Sequence, residues 1–409
     1  MKVMGITAEY NPFHNGHLYH LRESRKQIQP DYTVAVMSGD FTQRGEPALL
    51  NKWHRSRLAV EQGIDLVLEL PFLYACNRAE IFARGAVDVL AGIGATHISF
   101  GSESGNLSDL QHLAEALLEE THALTELRAA EMKRGYSYAK SNQKAVRELF
   151  GPKAEALILQ PNNILALEYL KRLEYWRKQG IFLNPVTVAR HGAGYHQENA
   201  ESGFAGASAI RTLLCDCHAA CENPRIRQYL PDSVWSVLQE QDWQTVMRSR
   251  EDRLFQLLRA EIVRAEPEWL AGVYCLGEGL EYKLKKEIIA AKSLDELTAA
   301  MVSRRYPEAA IRRIFVYLLL GLRETDPPMQ PYARVLAAGT KGRELLRMMK
   351  KQERTSIPVL TNVNKELPQY PGLERSLRYD ILASDMYHLL VGEDLYQWSD
   401  KVVTASMTE

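Results

Sequence analysis

Thr7-Ala8-Glu9-Tyr10-Asn11-Pro12-Phe13-His14-Asn15-Gly16-His17 is the stretch on which the reading of this chain turns. Ahead of it, Val3 to Ala8 has the short apolar pattern of a buried strand; behind it, Gly16 to about Gln27 has helical spacing. A strand that turns directly into a helix leaves free backbone N–H groups at the helix start, and these attract anions. Gly16 lets the backbone come close to a ligand, and His14 and His17, three apart, can both face that point as neutral donors or as cations. Such a pair suits charge building on a pentavalent α-phosphate and on departing pyrophosphate. Alone, the pattern also fits a turn with two incidental surface histidines. Its position after the first strand of an alternating pattern favours the functional reading.

That alternation extends outward from the turn. Tyr32 to Met37 reads as a strand ending at Ser38-Gly39-Asp40, Trp53 to Gln62 as a helix, and Asp65 to Leu70 as a strand stopped by Pro71. Ala79 to Leu90 is helical, and His97 to Phe100 is a fourth strand closed by Gly101. This order implies a doubly wound α/β fold: a parallel sheet with helices on both faces and ligands at the carboxyl ends of its strands. From Ser108 to about Arg177 the chain reads as helical, broken at Gly151-Pro152 and at Gln160-Pro161-Asn162-Asn163. A fifth strand is expected at Pro185 to Ala189, then a Gly/His-rich loop from His191 to Gly206, then a helix capped by Ser208 and running to about Cys221. Beyond Pro224 amphipathic helices dominate, at Ser233–Met247, Glu251–Ala265, Leu280–Ala291 and Pro307–Leu322, with β-like pieces at Tyr332–Leu336 and Ile357–Leu360. The expected division is a nucleotide-binding domain over 1–224 and a mainly α-helical C-terminal domain over 225–409.

A chain of 409 residues exceeds what one hydrophobic core serves, which agrees with that division. Its 50 basic and 51 acidic side chains nearly cancel, so bulk charge announces no nucleic-acid partner, although a local basic patch remains open. No run approaches the roughly 20 apolar residues of a membrane span. Met1 to Thr7 leads straight to Glu9 and Asn11, unlike a signal peptide, and five cysteines fit reduced thiols. A cytoplasmic protein is expected. Cys215, Cys217, His218 and Cys221 suggest zinc, but all lie within about two helical turns rather than on separate segments. They are read as small helix residues, and no metal site is expected.

A second element should close over the phosphates. In Gly206-Ala207-Ser208-Ala209-Ile210-Arg211, Ser208 can cap the helix or donate to a phosphate oxygen, and Arg211 can bind phosphate bidentately. In Gln43-Arg44-Gly45-Glu46 and just beyond, Arg44, Lys52 or Arg55 can touch phosphate or RNA, or form surface ion pairs with Glu46. Glu69, at a strand end before Pro71, reads as structural rather than as an orienting carboxylate, and His20 as a supporting donor one turn past His17. Basic clusters at Lys283–Lys286, Arg304-Arg305, Arg312-Arg313 and Lys341–Lys351 are either solvated helix faces or an RNA groove.

Together, His14-Asn15-Gly16-His17 and Ser208-Ala209-Ile210-Arg211 resemble the HIGH nucleotidyltransferase superfamily, which includes class I aminoacyl-tRNA synthetases and pantothenate synthetase. Within it, the tRNA(Met) cytidine acetate ligase family is the nearer resemblance. It is carried by Glu9 to His17, Gln43-Arg44-Gly45-Glu46-Pro47-Ala48, Asp65 to Pro71, Phe100-Gly101-Ser102-Glu103 and Pro161-Asn162-Asn163-Ile164-Leu165. The match is specific from residue 1 to about 215 and looser beyond. Gly206 and Ser208 stand where the family usually has Ser and Thr, and Ala166 where it has Gly. Ser for Thr keeps the hydroxyl; Gly206 removes one phosphate donor.

The resemblance implies a Rossmann-like HIGH domain followed by a helical, tRNA-binding region. It implies that acetate attacks the ATP α-phosphate, giving acetyl-adenylate and pyrophosphate, and that the acetyl group passes to N4 of the wobble cytidine of elongator tRNA(Met). His14 and His17 would be catalytic. The ATP cradle would comprise Thr7 through His17 with Leu18, Tyr19 and His20, completed by Gly101, Asn162, Arg190 and His191. Ser208 and Arg211 would touch phosphates, and Mg²⁺ would accompany ATP. Two rivals are a small-molecule adenylyltransferase of cofactor biosynthesis and a non-catalytic RNA-binding protein with ATP as a structural ligand. The first would hardly need so long a helical region.

Overall fold

Alternate residues of the leading strands are sorted to opposite faces of one sheet. A computed structural model describes residues 1–119, 122–190, 203–216, 223–326, 330–352, 355–400 and 402–407. His191, Cys217, His218 and Cys221 lie outside the described residues. The strands are β1 (Val3–Ala8), β2 (Tyr32–Ser38), β3 (Leu66–Leu70), β4 (His97–Ser102), β5 (Asn184–Ala189), β6 (Ala333–Ala338), β7 (Val359–Leu360) and β8 (Ser406–Met407). Val34, Val36, Leu66, Leu68 and Leu70 enter the core on one face, whereas Ala35, Met37 and Val67 enter the core on the other. Burial on both faces is what makes such strands read as continuous apolar runs.

The helices of the first half are α1 (Asn15–Ile28), α2 (Lys52–Glu61), α3 (Phe72–Ala75), α4 (Ala79–Gly92), α5 (Leu107–Leu118), α6 (His122–Lys133), α7 (Tyr138–Ile158), α8 (Pro161–Lys178) and α9 (Ala207–Cys215). Those of the second half are α10 (Pro224–Arg227), α11 (Asp232–Leu238), α12 (Trp243–Arg264), α13 (Pro267–Ala271), α14 (Leu280–Ala290), α15 (Leu294–Met301), α16 (Glu308–Leu319), α17 (Thr340–Gln352), α18 (Val363–Glu366), α19 (Leu373–Val391) and α20 (Leu395–Trp398). Gly151, at φ 83°, breaks α7 ahead of Pro152, and Pro161 occupies the first turn of α8, where its missing N–H costs nothing.

Several helix boundaries differ from the sequence reading, among them the end of α9, at Cys215 rather than near Cys221. The run from Ser233 to Met247 is divided, because the Asp242 side chain caps a new helix by accepting from Thr245 N. Ser208 does not cap α9; Gly206 is the N-cap, with no side-chain bond, and Ser208 lies inside the first turn.

The strand order is β5-β4-β1-β2-β3-β6-β7, with β8 also on β6. β1 pairs parallel with β2 on one side and β4 on the other, so the order reverses at β1/β4. That reversal opens a cleft at the carboxyl ends of these strands. β6 returns from the C-terminal half and pairs antiparallel with β3. The sheet is therefore parallel up to β3 and reverses there. A third core, mainly from α12, α14, α15 and α16, takes in Phe41, Phe72, Leu73 and Cys76 from the first half. None of the described helices is long and apolar enough to cross a membrane.

The β3/β6 seam holds a buried ionic cluster. Lys52 Nζ lies 2.8 Å from Glu69 Oε1 and 2.6 Å from Asp400 Oδ2, and Arg334 Nη1 lies 2.5 Å from the same Asp400 oxygen. Burial raises the Glu69 carboxyl. Burial also works to raise Asp400, but Arg334 and Lys52 outweigh it and hold that carboxyl below its ordinary value. Lys52 is thus a structural cation, not a ligand contact. Arg55 is too: it donates to the carbonyls of Leu50, Glu9, Ser38 and Gly39. Removing one partner of a buried pair strands the other charges, so Lys52→Met should lose about 3–5 kcal/mol of stability in urea unfolding. Arg264→Met, at an exposed pair with Glu261, should lose no more than about 1 kcal/mol. Equal losses would contradict the structural role of Lys52.

Candidate active site

The chain leaves β1 through Tyr10, which takes a left-handed φ of 48°, and a cis Asn11–Pro12 bond. The Tyr10 ring is fixed at 4.7 Å from Phe13 and 5.0 Å from His17, centroid to centroid. His14 is the N-cap of α1. Its Nδ1 accepts from Gly16 N at 3.0 Å, while His17 Nδ1 accepts from His14 N at 3.3 Å. This is a capping box in which two imidazoles replace the usual hydroxyl and carboxylate. With both Nδ1 atoms accepting, the bonding pattern assigns both protons to Nε2. The rings stack at 3.8 Å between centroids. Gly16 is required for a reason that spacing alone did not reveal: a Cβ there would lie 2.8 Å from His14 Cε1.

A cavity of about 750 Å³ opens beside this turn, beyond the carboxyl ends of β1, β4 and β5. Thr7, Ala8, Glu9, Tyr10, Asn11, Gly16, His17, Tyr19, His20, Gly101, Asn162 and Arg190 line it. Pro12, Phe13, His14, Asn15 and Leu18 are outside its wall, supporting the turn from behind. His14 is only 3% exposed and backs the ring of His17. Asn15 fixes the turn from outside by donating to Gln228 O at 2.8 Å. Five helices begin at this cavity, each contributing a residue of its first turns: Gly16 of α1, Ala79 of α4, Asn162 of α8, Ala207 of α9 and Ala309 of α16. Converging amino ends favour an anion.

Other side chains complete the wall. Thr7 Oγ1 donates to Tyr169 OH at 2.6 Å. Arg190 Nη1 donates to Asn162 Oδ1 at 3.2 Å, and Asn162 Nδ2 donates to Glu103 Oε1 at 2.7 Å. Glu9 Oε1 accepts from Gln43 N at 2.8 Å, and burial raises this carboxyl above its ordinary value. Arg211, outside the wall, donates to Asn11 O at 2.9 Å and approaches Glu46 at 3.5 Å, so it braces the histidine turn. Ser208 is likewise outside the wall. His20, in the wall, has Nε2 within 3.1 Å of Ser99 Oγ.

The profile of the HIGH Nucleotidyl Transferase family matches residues 1–401. The tRNA(Met) cytidine acetate ligase of Thermoanaerobacter sp. (strain X514) is 38% identical over 400 residues, covering 95% of both chains. That of Acetivibrio thermocellus is 35% identical, covering 95% of this chain and 94% of its own. The chain belongs to the tRNA(Met) cytidine acetate ligase family. Two crystal structures of Thermotoga maritima TmcAL, one apo and one bound with alpha-thio ATP, match with TM-scores of 0.86 and 0.84 at 29% identity, covering 100% of both chains.

Within this family frame, several wall residues escaped the sequence reading. Arg78 and Phe82 come from the start of α4, and Tyr169 from the interior of α8. Pro307, Glu308, Ala309, Arg312 and Arg313 come from the start of α16, more than 280 residues past His17. Arg312-Arg313 was visible as a basic pair, but nothing in its spacing tied it to the first strand. Arg313 donates to Gln43 O at 3.1 Å, which fixes this wall to the 43–46 loop.

Burial decides the charge of the imidazoles. It pushes His14 down to about 3 and His20 down to about 4, each helped by the Arg190 guanidinium, and His17 well below the ordinary range, helped by His14 and Arg190. All three are neutral donors at neutral pH. The unfolded chain protonates such groups near about pH 6.5, so their contribution is whole above that value and is lost as pH falls toward the folded-state values. Each depressed imidazole adds a slope of up to about 1.4 kcal/mol per pH unit in that window. His20→Gln should therefore flatten the decline of melting temperature between about pH 6.5 and about pH 5. An unchanged slope would show that His20 takes up its proton at the same pH in the folded and the unfolded chain.

Proposed function

We propose that this chain is an ATP-dependent, cytosolic tRNA cytidine acetate ligase acting on elongator tRNA(Met). The observation that carries the reading is His17, neutral and with Nε2–H free of the cap, in the wall of an anion-favouring cavity at the strand-order reversal. ATP lies across β1 and β4, with the triphosphate over the start of α1 and adenine toward Gly101, Asn162 and Arg190. His191 belongs to the same proposed cradle.

In the first step an acetate oxygen forms a bond to the α-phosphorus while the bond from that phosphorus to the β-bridging oxygen breaks. Acetyl-adenylate forms and pyrophosphate leaves. His17 donates from Nε2 to oxygens on which charge grows, and His14, buried behind it, holds the ring plane. Ser208 and Arg211 are assigned to the departing phosphates. Arg211 would have to exchange its Glu46 contact for a phosphate oxygen while keeping Asn11 O. In the second step N4 of the wobble cytidine bonds to the acetyl carbonyl carbon, the bond to AMP breaks, and N4 gives up a proton. No protein nucleophile is needed.

No cluster of three or more metal-ligating side chains occurs among the described residues. Mg²⁺ fits here as a companion of the triphosphate, held chiefly by phosphate oxygens and water, with Glu9, Glu46 and Glu308 the carboxylates of the wall. When bound it would offset phosphate charge. We keep a division at residue 224/225, with the nucleotide chiefly on the first part and the start of α16 from the second part closing its cavity.

Pyrophosphate release from ATP should require acetate, and N4-acetylcytidine should appear in tRNA by mass spectrometry. His17→Ala should lower adenylate formation about 10²–10³-fold with the fold intact, as loss of one transition-state donor does. Exchange driven by a different acid, or near-normal turnover of His17→Ala, would sink the assignment.

A further inference from the structure

The basic clusters are not equivalent in space. Lys285 Nζ donates to the carbonyls of Ile262, Val263 and Ala265 at 2.9–3.0 Å, closing the end of α12, and Lys283 Nζ donates to Met301 O at 3.2 Å. These ammonium groups are structural. Lys341 Nζ reaches Asp31 O at 3.3 Å, just before β2, and so lies at the sheet edge opposite the cavity. Arg312 and Arg313 are inside the cavity wall. Arg304 and Arg305 remain, exposed on the connection between α15 and α16, immediately ahead of the wall residues Pro307 to Ala309.

A second basic segment meets them there. Between residues 128 and 147, Arg128, Lys133, Arg134, Lys140, Lys144 and Arg147 accompany a single acidic residue, Glu131, in a chain whose net charge is −1. Ser137 N donates to Arg304 O at 3.2 Å, joining the α6–α7 connection to the α15–α16 connection. The Tyr136 ring lies between cations of both: Lys144 Nζ at 4.1 Å and Arg304 Cζ at 5.2 Å from its centroid. Lys133, Lys140 and Arg304 are exposed and, among the described residues, pair with no carboxylate. Tyr138 is 52% exposed beside them, with Arg128 over its ring at 5.0 Å.

We propose that these two connections form one surface for the anticodon arm of the RNA substrate, with Lys133, Lys140 and Arg304 on phosphates and Tyr138 beneath a loop base. The inference rests on the function proposed above and assigns its RNA site. Unpaired cations without bulk positive charge suit a local phosphate track, and exposed aromatic and guanidinium planes suit unstacked loop bases. The surface continues through Tyr306 into the wall at Pro307, so an arm held at this rim can present a loop base to the adenylate. The same track could not serve the base from the Lys341 edge.

The test titrates the wild type and the double variant Lys133→Glu with Arg304→Glu against an elongator tRNA(Met) transcript and its isolated anticodon stem–loop, over a range of salt. Both RNAs should bind the variant at least about tenfold more weakly, with a salt slope shallower by about one per lost phosphate contact. Melting temperature should stay at the wild-type value, and Lys341→Glu should bind as the wild type does. Equal affinities of wild type and double variant would overturn the surface. A loss seen with whole tRNA but not with the stem–loop would overturn the anticodon-arm assignment. A wild type that binds neither RNA would remove the functional reading on which the surface rests.

Discussion

The antiparallel junction of β3 with β6 is the constraint on which the rest of the molecule depends. Without it the first half would be an open five-stranded sheet with an uncovered edge. Lys52, Glu69, Arg334 and Asp400 bring together α2, two strands and the segment ahead of β8, parts of the chain nearly 350 residues apart. Asp380 adds α19 to the same region by accepting from Phe72 N and Tyr332 OH. The cost of burying these charges is met only when every partner is in place, which makes the junction specific as well as strong. Its consequence for chemistry is indirect. A C-terminal half held this way carries the start of α16 to the cavity and supplies a wall the first half lacks.

Inside the cavity, neutral and cationic donors stand beside the carboxylates of Glu9, Glu46 and Glu308. On the β1 side stand uncharged donors: the imidazoles of His17 and His20, pinned by the helix start and by Ser99. Facing them are permanent cations, Arg190 from β5, Arg78 from the start of α4, and Arg312 and Arg313 from α16. Arg190 adds to the burial that keeps the histidines neutral and offers positive charge to a polyanion. The imidazole donors are organised before any ligand arrives, because the helix start fixes His17 and Ser99 holds His20.

Much of this was legible from residue order, for reasons that are local. The β1 turn and its helix are written in one continuous stretch from Glu9 to Ile28, and Pro161 and Gly151 punctuate α8 and α7 where their backbone demands break helices. Strand and helix alternation implies parallel pairing because each helix carries the chain back to the same end of the sheet. What stayed hidden was non-local. Tyr332–Leu336 reads as a strand, yet nothing in it says that it will pair antiparallel with β3. Lys52 and Arg55 look like surface cations until Asp400 and the carbonyls around Gly39 are seen around them. Ser208 has the right chemistry for a cap, but Gly206 takes that place two residues earlier. His14 and His17 were recognised as a pair, while the bonds of their rings to the backbone of Gly16 and of His14 were not readable from spacing.

The margins of the sheet carry one more consequence. On one flank, β5 donates inward from Asn184 N to Thr96 O, which turns the nitrogen of the next residue, Pro185, outward, where there is no hydrogen to offer another chain. On the other flank, β6 is covered in two pieces, by β7 at Ala333 and Arg334 and by β8 at Ala337 and Ala338. Neither flank presents a long, unbroken ladder of free amides. A protein with a sheet this wide can therefore remain crowded in a cell without its copies zipping together edge to edge into aggregates.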